Sequence, residues 1–261
     1  NSYLYYIDFS FDTLKLGGSA FAQALNKLGD EVPTVKDAEY FRDAFNAVQS
    51  AIEQRLVLAG HDISAGGMIT ALLEMCFANV EGGLEVDLDA INEADIVKIL
   101  FAENPGILLQ VKEKKAFEHL MREAGVGFAL IARPTEERHI LVSKEGIQYH
   151  FGIDYMRDVW YESSYKLDVK QSGNVCAGNR FENYKMQPLE YKFHKSFTGK
   201  LADYGVSADR RTPSGVKAAV IREKGTQCER ETAYALYLAG FDVKDVHMTD
   251  LASGRETLED V

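Results

Sequence analysis

Residues 61–75 read HDISAGGMITALLEM, a short polar stretch followed at once by an apolar run. This pattern predicts the end of a strand, a tight turn and the beginning of a helix. Gly66 and Gly67 allow close backbone approach and backbone conformations that other residues avoid. Asp62 and Ser64 place oxygen atoms beside the N–H groups of a helix N terminus, which suits a phosphate and its magnesium ion. A glycine-rich strand-to-helix turn with a capping serine is the alternative interpretation.

The composition indicates a folded chain and excludes some partners. The chain has 261 residues, of which 46% are hydrophobic and 11% aromatic, enough for one large domain or two small ones. The net charge of −11 gives no electrostatic attraction to nucleic acid or to an anionic membrane, so neither is an expected partner. No apolar run approaches the roughly 20 residues of a membrane span, and no signal peptide is visible. The three cysteines are far apart and odd in number, typical of reduced thiols, so we expect a cytoplasmic location.

The first 167 residues alternate between strand and helix patterns. Asp37 is predicted to cap a long amphipathic helix that Gly60 ends, and Asp154 to cap a later helix. Strands are predicted at 3–9, 84–88, 106–111, 128–132, 139–143 and 148–151, and further helices at about 19–28, 67–77, 91–101 and 114–124. The fold class is therefore predicted as α/β, in the form of an α+β sandwich of a mixed sheet and helices.

The character of the chain changes after Leu167. Residues 174–215 are polar with little periodicity, so residues 168–215 are interpreted as an interdomain linker between a domain at 1–167 and another at 216–261. From residue 216 a strand, a turn, a helix and a second strand follow, the pattern that begins a doubly wound parallel domain. About 45 residues are too few to bury a core, so we expect more of this domain to follow.

Several of these segments carry a family resemblance. LGGS at 16–19, the stretch at 61–67 and FAENPGILLQV at 101–111 resemble the C-terminal half of an aminoimidazole ribonucleotide synthetase-like unit. VIREKGTQCERE at 220–231, with AGFDV at 239–243 and VHMTDL at 246–251, resembles the beginning of a class I glutamine amidotransferase domain. Joined in this order, the two halves resemble the large single-chain phosphoribosylformylglycinamidine synthases, and the resemblance covers nearly the whole chain.

The resemblance implies an ATP-dependent ligase of purine biosynthesis. Such an enzyme converts formylglycinamide ribonucleotide, glutamine and ATP into formylglycinamidine ribonucleotide, glutamate, ADP and phosphate. This segment resembles the second C-terminal half, which implies Mg²⁺ and a retained ATP or ADP as cofactors. The implied partners are the upstream synthetase-like halves and the downstream glutaminase of the same polypeptide.

The resemblance also assigns roles to residues of the turn. Asp62 matches the aspartate that ligates magnesium, Ser64 matches the serine beside the phosphates, and Gly66 and Gly67 match as nucleotide-binding glycines. Ile63 and Ala65 stand where the commonest form of the motif has arginine and aspartate, so no role is carried to those positions.

Two further motifs have two interpretations each. Gly17, Gly18 and Ser19 form either a loop that approaches a substrate phosphate or a serine-capped helix start after a glycine turn. His61 matches the motif, but a histidine at the end of a strand is also typical of a packed, hydrogen-bonded structural residue.

No catalytic residue is predicted within the chain. The Cys nucleophile of the glutaminase and its His–Glu pair are expected beyond Val261, and the isolated chain is expected to be inactive. Cys228 lies in the first β-α turn rather than at a nucleophile elbow, and Glu229 and Glu231 disfavour its thiolate.

Two other functions compete with the ligase. One is a different synthetase-like kinase, such as a thiamine phosphate kinase or a selenophosphate synthetase, but residues 216–251 argue against it because those enzymes lack an amidotransferase start. The other is a non-catalytic nucleotide-binding scaffold or docking domain.

Overall fold

The computed structural model describes residues 2–186, 192–210 and 212–261. Its internal contacts divide the chain into two units, residues 1–190 and 191–261. The first unit contains a seven-stranded sheet and the second a two-stranded sheet.

The sheet of the first unit is mixed, as predicted. Its strands lie in the order β2-β4-β1-β5-β3-β6-β7, and every neighbouring pair is antiparallel except β3 and β6, which are parallel. The strands are β1 (Tyr3–Asp8), β2 (Val57–Asp62), β3 (Gly83–Asp87), β4 (Gly106–Val111), β5 (Ala129–Thr135), β6 (His139–Lys144) and β7 (Ile147–Gly152). Strand β2 therefore forms one edge of the sheet, and the turn at its end is accessible.

Helices cover both faces of this sheet. Their bounds are α1 (Ala20–Ala24), α2 (Ala38–Glu53), α3 (Gly67–Phe77), α4 (Ile96–Phe101), α5 (Lys114–Glu123) and α6 (Ile153–Asn183). Because side chains of a strand alternate between faces, Leu4 and Tyr6 of β1 join the core formed with α3 and α4, whereas Tyr5 and Ile7 join the core formed with α2 and α5. The central strands are thus buried on both sides, which explains their largely apolar sequences.

Most predicted elements are confirmed, but some helix ends differ. The Asp37 cap of α2 is confirmed by hydrogen bonds from the backbone nitrogens of Glu39 and Tyr40 at 2.9 and 3.0 Å. Helix α4 begins at Ile96 rather than near residue 91 because the Asp95 carboxylate accepts from the backbone nitrogen of Val97 at 2.9 Å. Helices α1 and α2 end earlier than predicted, at Ala24 and Glu53.

The predicted cap at Asp154 is wrong. The N-cap residue of α6 is Gly152, so this helix start has no capping side chain. The Asp154 carboxylate instead lies 3.1 Å from Nε of Arg138, a cation that is mostly buried. The ion pair engages the carboxylate, so it is not used as a cap.

The stretch at 174–215 was predicted to have little periodic structure, but residues 168–183 of the interpreted linker are helical and belong to α6. Gly173 interrupts this helix with a φ of 78° and a ψ of 164°. Nη1 of Arg157 donates to the carbonyl of Phe181 at 2.9 Å, although these residues would be about 36 Å apart along an unbroken helix. The two arms of α6 therefore lie side by side as a hairpin. Residues 187–191 and 211 of the predicted linker lie outside the described residues.

The second unit confirms the predicted β-α-β order. It contains β8 (Lys217–Arg222), α7 (Glu229–Leu238), β9 (Asp242–His247) and α8 (Met248–Ala252), and β8 pairs with β9 in parallel. A 3-10 turn at Leu201–Tyr204 precedes them. The guanidinium of Arg210 donates to the Asp242 carboxylate at 2.9 Å and to the Phe241 carbonyl at 2.6 Å, so the segment before β8 is attached to the start of β9.

In the described part of the chain, no helix is both long enough and apolar enough to span a membrane.

Candidate functional site

The turn between β2 and α3 has the predicted strand–turn–helix form. Strand β2 pairs with β4 as far as Asp62, and the backbone nitrogen of Ile63 donates to the carbonyl of Gly106 at 2.8 Å. Ile63 is buried, and the backbone nitrogen of Gly67 closes the turn on the carbonyl of Ser64 at 2.9 Å. The side chains of Asp62 and Ser64 on either side of Ile63 are exposed.

The two glycines of the turn are required by its geometry. Gly66 and Gly67 have φ angles of 91° and 73°, which other residues rarely adopt. A Cβ atom on Gly67 would lie 2.6 Å from the carbonyl oxygen of Leu100. Glycine at this position therefore lets the N terminus of α3 pack directly against α4.

Glu103 joins this turn to the other glycine motif. Its Oε1 atom accepts hydrogen bonds from the backbone nitrogens of Gly66 at 2.8 Å and Ala20 at 2.7 Å. Ala20 directly follows Ser19, so one carboxylate oxygen connects the two predicted loops. A negative charge at these N–H groups is favourable because they would otherwise lack an acceptor. In the sequence, Glu103 stood only within the stretch 101–111 that carries the family resemblance, and no role was assigned to it.

The loop at 17–19 uses its N–H groups internally. The backbone nitrogens of Gly17 and Gly18 donate to the carbonyls of Glu31 and Leu28 at 2.7 and 2.8 Å. Oγ of Ser19 accepts from the backbone nitrogen of Ala22 at 3.2 Å, as a capping serine does. The helix-capping alternative thus describes the observed loop, and contact with a phosphate would require these bonds to break.

Asn104 anchors the segment before that loop and was missed by sequence reasoning. Its side chain is buried and donates to Oγ of Ser10 and to the carbonyl of Thr13, both at 3.1 Å, while Oδ1 accepts from the backbone nitrogen of Lys15 at 3.1 Å. Both polar atoms of the amide are therefore satisfied, as burial requires.

Asp12 lies in that segment, and two lysine ammonium groups contact its carboxylate. Nζ of Lys15 and Nζ of Lys36 lie 2.5 and 2.7 Å from its carboxylate. The bond from Lys15, followed by that from Lys36, holds the pKa of Asp12 well below its usual range. These two lysines are thus engaged with a carboxylate on this chain.

His61 is held between the backbone and α3. Its Nδ1 donates to the carbonyl of Asp62 at 2.7 Å, and its Nε2 lies 2.9 Å from Oε2 of Glu74. Both ring nitrogens of His61 therefore have a partner within hydrogen-bond distance. Oε1 of Glu74 accepts from Nε1 of Trp160 at 2.7 Å. The structural interpretation of His61 therefore describes what is observed.

The Asp62 carboxylate remains available to a ligand. Its side chain is 76% exposed, and no cluster of three or more His, Cys, Asp or Glu side chains in the described ranges could hold a metal ion. An Mg²⁺ ion commonly binds through one or two carboxylates together with phosphate oxygens and water. Asp62 fits that role as a single protein ligand.

An apolar pocket of about 320 Å³ adjoins Asp62 on the side of α2. Phe41, Phe45, Ile63 and Ile107 line it, and the Phe45 side chain is 47% exposed. Aromatic and aliphatic walls suit the flat apolar part of a ligand such as a nucleobase.

Cys76 and Cys228 differ in exposure, and Cys228 lies in the predicted β-α turn. Cys76 is buried on α3, and burial raises the pKa of its thiol to about 11. Cys228 is exposed in the turn between β8 and α7, where Glu229 and Glu231 stand in the first turn of the helix.

Two protein-family models match the chain. Residues 10–144, more than half of the chain, match the family described as AIR synthase related protein, C-terminal domain. Residues 215–261 match the family described as CobB/CobQ-like glutamine amidotransferase domain. The predicted order of a synthetase-like half followed by the start of an amidotransferase domain is thereby confirmed.

Two relatives that are similar in sequence are much longer than this chain. A probable phosphoribosylformylglycinamidine synthase of Arabidopsis thaliana, chloroplastic/mitochondrial by name, is 33% identical over 259 residues. The Homo sapiens phosphoribosylformylglycinamidine synthase is 34% identical over 262 residues. The matches cover 98% and 97% of this chain but 18% and 19% of the relatives, so the chain spans about a fifth of their length.

Among solved structures, T. maritima PurL complexed with FGAR is similar, with a TM-score of 0.48 and 18% identity. The superposed part covers 59% of this chain and 27% of that chain.

Proposed function

Because the chain belongs to the phosphoribosylformylglycinamidine synthase family of AIR synthase related proteins, we propose that it forms part of an ATP-dependent ligase of purine biosynthesis. That ligase converts formylglycinamide ribonucleotide, glutamine and ATP into formylglycinamidine ribonucleotide, glutamate, ADP and phosphate. Within it, this chain supplies an Mg–nucleotide half-site and the junction to the glutaminase. The observation that carries the proposal is the Asp62–Gly67 turn, whose exposed oxygen ligands stand beside a helix N terminus.

The turn's own residues would hold the nucleotide as follows. The exposed Asp62 carboxylate would ligate Mg²⁺, and the exposed Ser64 hydroxyl would donate to a phosphate oxygen. Gly66 and Gly67 let the backbone approach closely. The Gly66 nitrogen already donates to Glu103 and the Gly67 nitrogen to the Ser64 carbonyl, so a phosphate would meet the N–H groups that follow them at the N terminus of α3. Bound Mg²⁺ would neutralise phosphate charge, so that an acidic chain can retain a nucleotide. The apolar pocket beside Asp62 would receive the base.

The second unit would begin the amidotransferase domain. We assign no glutaminase nucleophile to the described residues, since Cys228 lies in the first β-α turn beside two glutamates. We propose that the glutaminase Cys, His and Glu belong to other parts of the longer protein, which are also the partners of this chain. The proposal keeps three regions, at 1–167, 168–215 and 216–261, with the first part of the middle region helical.

The proposal includes a cytoplasmic location. The name of the Arabidopsis relative contains the words chloroplastic/mitochondrial, so cell fractionation is the measurement that decides this part.

A scaffold or docking role is the second candidate. It is favoured by the loop at 17–19, whose glycine N–H groups already have internal acceptors. A different synthetase-like kinase is disfavoured by the amidotransferase match at 215–261.

The test is calorimetric titration of the 261-residue chain with Mg-ADP. We expect binding that Asp62→Asn weakens at least about tenfold, equivalent to about 1.4 kcal/mol. Glu53→Gln, at an exposed position at the end of α2, is the matched control and should leave the affinity unchanged. Absence of heat with the wild-type chain, or equal affinity in the Asp62 variant, would leave the docking role instead.

A further inference from the structure

Three side chains from three elements meet beside the nucleotide turn. His61 lies near the end of β2, Glu74 lies on α3 and Trp160 lies on the first arm of α6. Oε2 of Glu74 is 2.9 Å from Nε2 of His61, and Oε1 accepts from Nε1 of Trp160 at 2.7 Å. Each oxygen of one carboxylate thus contacts a different element.

Glu74 is held from both sides. Its side chain is 25% exposed, so water competes for it only in part. With one partner on each oxygen, the carboxylate cannot rotate without losing a contact. Glu74 is therefore the side chain through which His61 and Trp160 are in contact.

The His61 end of this contact leads to the turn. Nδ1 of His61 donates to the carbonyl of Asp62 at 2.7 Å, and the next backbone nitrogen, that of Ile63, donates to Gly106. The peptide that follows Asp62 is therefore held on both of its polar atoms. It fixes the backbone from which the exposed Asp62 side chain extends.

The Trp160 end leads to the α6 hairpin. The Trp160 ring lies 5.4 Å from that of Phe77 at the end of α3. One turn earlier, the Arg157 guanidinium lies over the rings of Tyr161 and Tyr184 and donates to the carbonyl of Phe181. Trp160 is thus part of the same helical hairpin, which precedes the second unit in the sequence.

We propose that Glu74 is a positioning residue through which the nucleotide turn and the α6 hairpin act on each other. A nucleotide bound at Asp62 changes the environment of Trp160, and loss of the Glu74 carboxylate weakens nucleotide binding although Glu74 does not touch the ligand. The influence is reciprocal, because coupling between two sites acts with equal magnitude in both directions. This inference rests on the proposed nucleotide function of the turn.

The chain contains a single tryptophan, so tryptophan emission reports on the surroundings of Trp160 alone. The 261-residue protein is titrated with Mg-ADP while heat and tryptophan emission are followed in parallel. We expect both signals to change with the same midpoint. Glu74→Ala should weaken binding about three- to tenfold and abolish the emission change, while the Glu53→Ala control leaves both as in the wild type.

Trp160→Phe provides a second variant that keeps an aromatic ring at a half-exposed position and removes the N–H donor. By calorimetry it should also weaken binding several-fold, and the double variant should lose less than the product of the two single effects. Unchanged affinity in both single variants overturns the inference, whatever the emission does, and leaves the nucleotide site standing. If the wild-type chain gives no heat with Mg-ADP, the proposed function fails and this inference falls with it.

Discussion

Oε1 of Glu103 lies 2.8 Å from the backbone nitrogen of Gly66, which is 37 residues away in the sequence. The same oxygen accepts from Ala20 at 2.7 Å, so a side chain between α4 and β4 holds two helix starts together. The sequence suggested that these N–H groups bind the phosphate of a ligand. In the structure a carboxylate of the chain itself accepts their hydrogen bonds.

Removing this acceptor should loosen both loops. Glu103→Ala leaves the Gly66 and Ala20 N–H groups without their partner, and we expect a loss of about 1–2 kcal/mol in the free energy of unfolding. Glu103→Gln keeps an oxygen acceptor and should lose less than half as much. Urea denaturation of the three proteins measures this, and equal losses in both variants would show that the charge, not the acceptor, matters.

Gly67 and Gly178 should respond oppositely to alanine. At Gly67 a Cβ would meet the carbonyl of Leu100 at 2.6 Å in a backbone with φ of 73°, so we expect a loss of at least about 2 kcal/mol. At Gly178, in the second arm of α6, a Cβ would meet nothing within 4 Å, and helix propensity should add about 0.5–1 kcal/mol. Chemical denaturation midpoints decide the sign at each position.

Acid should weaken the second unit through Asp242. Its carboxylate accepts from the backbone nitrogen of Ser214, from Arg210 and from the backbone nitrogen of Gly215, which lowers its pKa from 3.8 to about 2. A carboxylate whose pKa is lower in the folded state stabilises above its unfolded pKa, and this contribution is lost as the pH falls from about 4 to 2.

Hydrogen exchange of β9 amides between pH 5 and pH 2.5 follows this loss. The protection of β9 should fall more steeply in the wild type than in Asp242→Asn, which lacks the titrating group. Parallel slopes in the two proteins would contradict the prediction.

Thiol reagents should distinguish the three cysteines. Cys176 and Cys228 are exposed, whereas Cys76 is buried with its pKa raised to about 11. At pH 8 we expect two thiols to react rapidly and the third only after denaturant is added, because the thiolate is the reactive form. Rapid labelling of Cys76 in the native chain, identified by peptide mass, would show that α3 opens locally.

Phe45 should affect the ligand more than the fold. Its ring is 47% exposed in the pocket beside Asp62, so Phe45→Ala should change the stability little. Mg-ADP binding should weaken several-fold, while Mg-pyrophosphate, which lacks a base, should bind as before. Equal weakening for both ligands would place the base elsewhere.

Local patterns were sufficient for most elements of the fold. The apolar spacing of residues 38–53 and the alternation at 83–87 each place the apolar side chains on one face of their own element, so they predict helix and strand directly. The glycines and the apolar run at 66–77 likewise predict the turn and α3. The Asp154 cap failed because the distant Arg138 takes the carboxylate. The helical part of the interpreted linker was missed because it depends on a distant contact, that of Arg157 with Phe181 of the returning arm and with Tyr184 just after it.

The sequence by itself therefore determined the mixed sheet with its helices, the turn at 61–67 and the β-α-β start of the second unit. Only the tertiary structure decided which groups satisfy the polar atoms around that turn. Glu103 reaches Ala20 across 83 residues of sequence, and Trp160 reaches Glu74 across 86. The periodicity of a sequence shows which side of a helix or strand each residue lies on. Hydrogen bonds between distant residues form only after several elements have packed together, so a local pattern does not predict them.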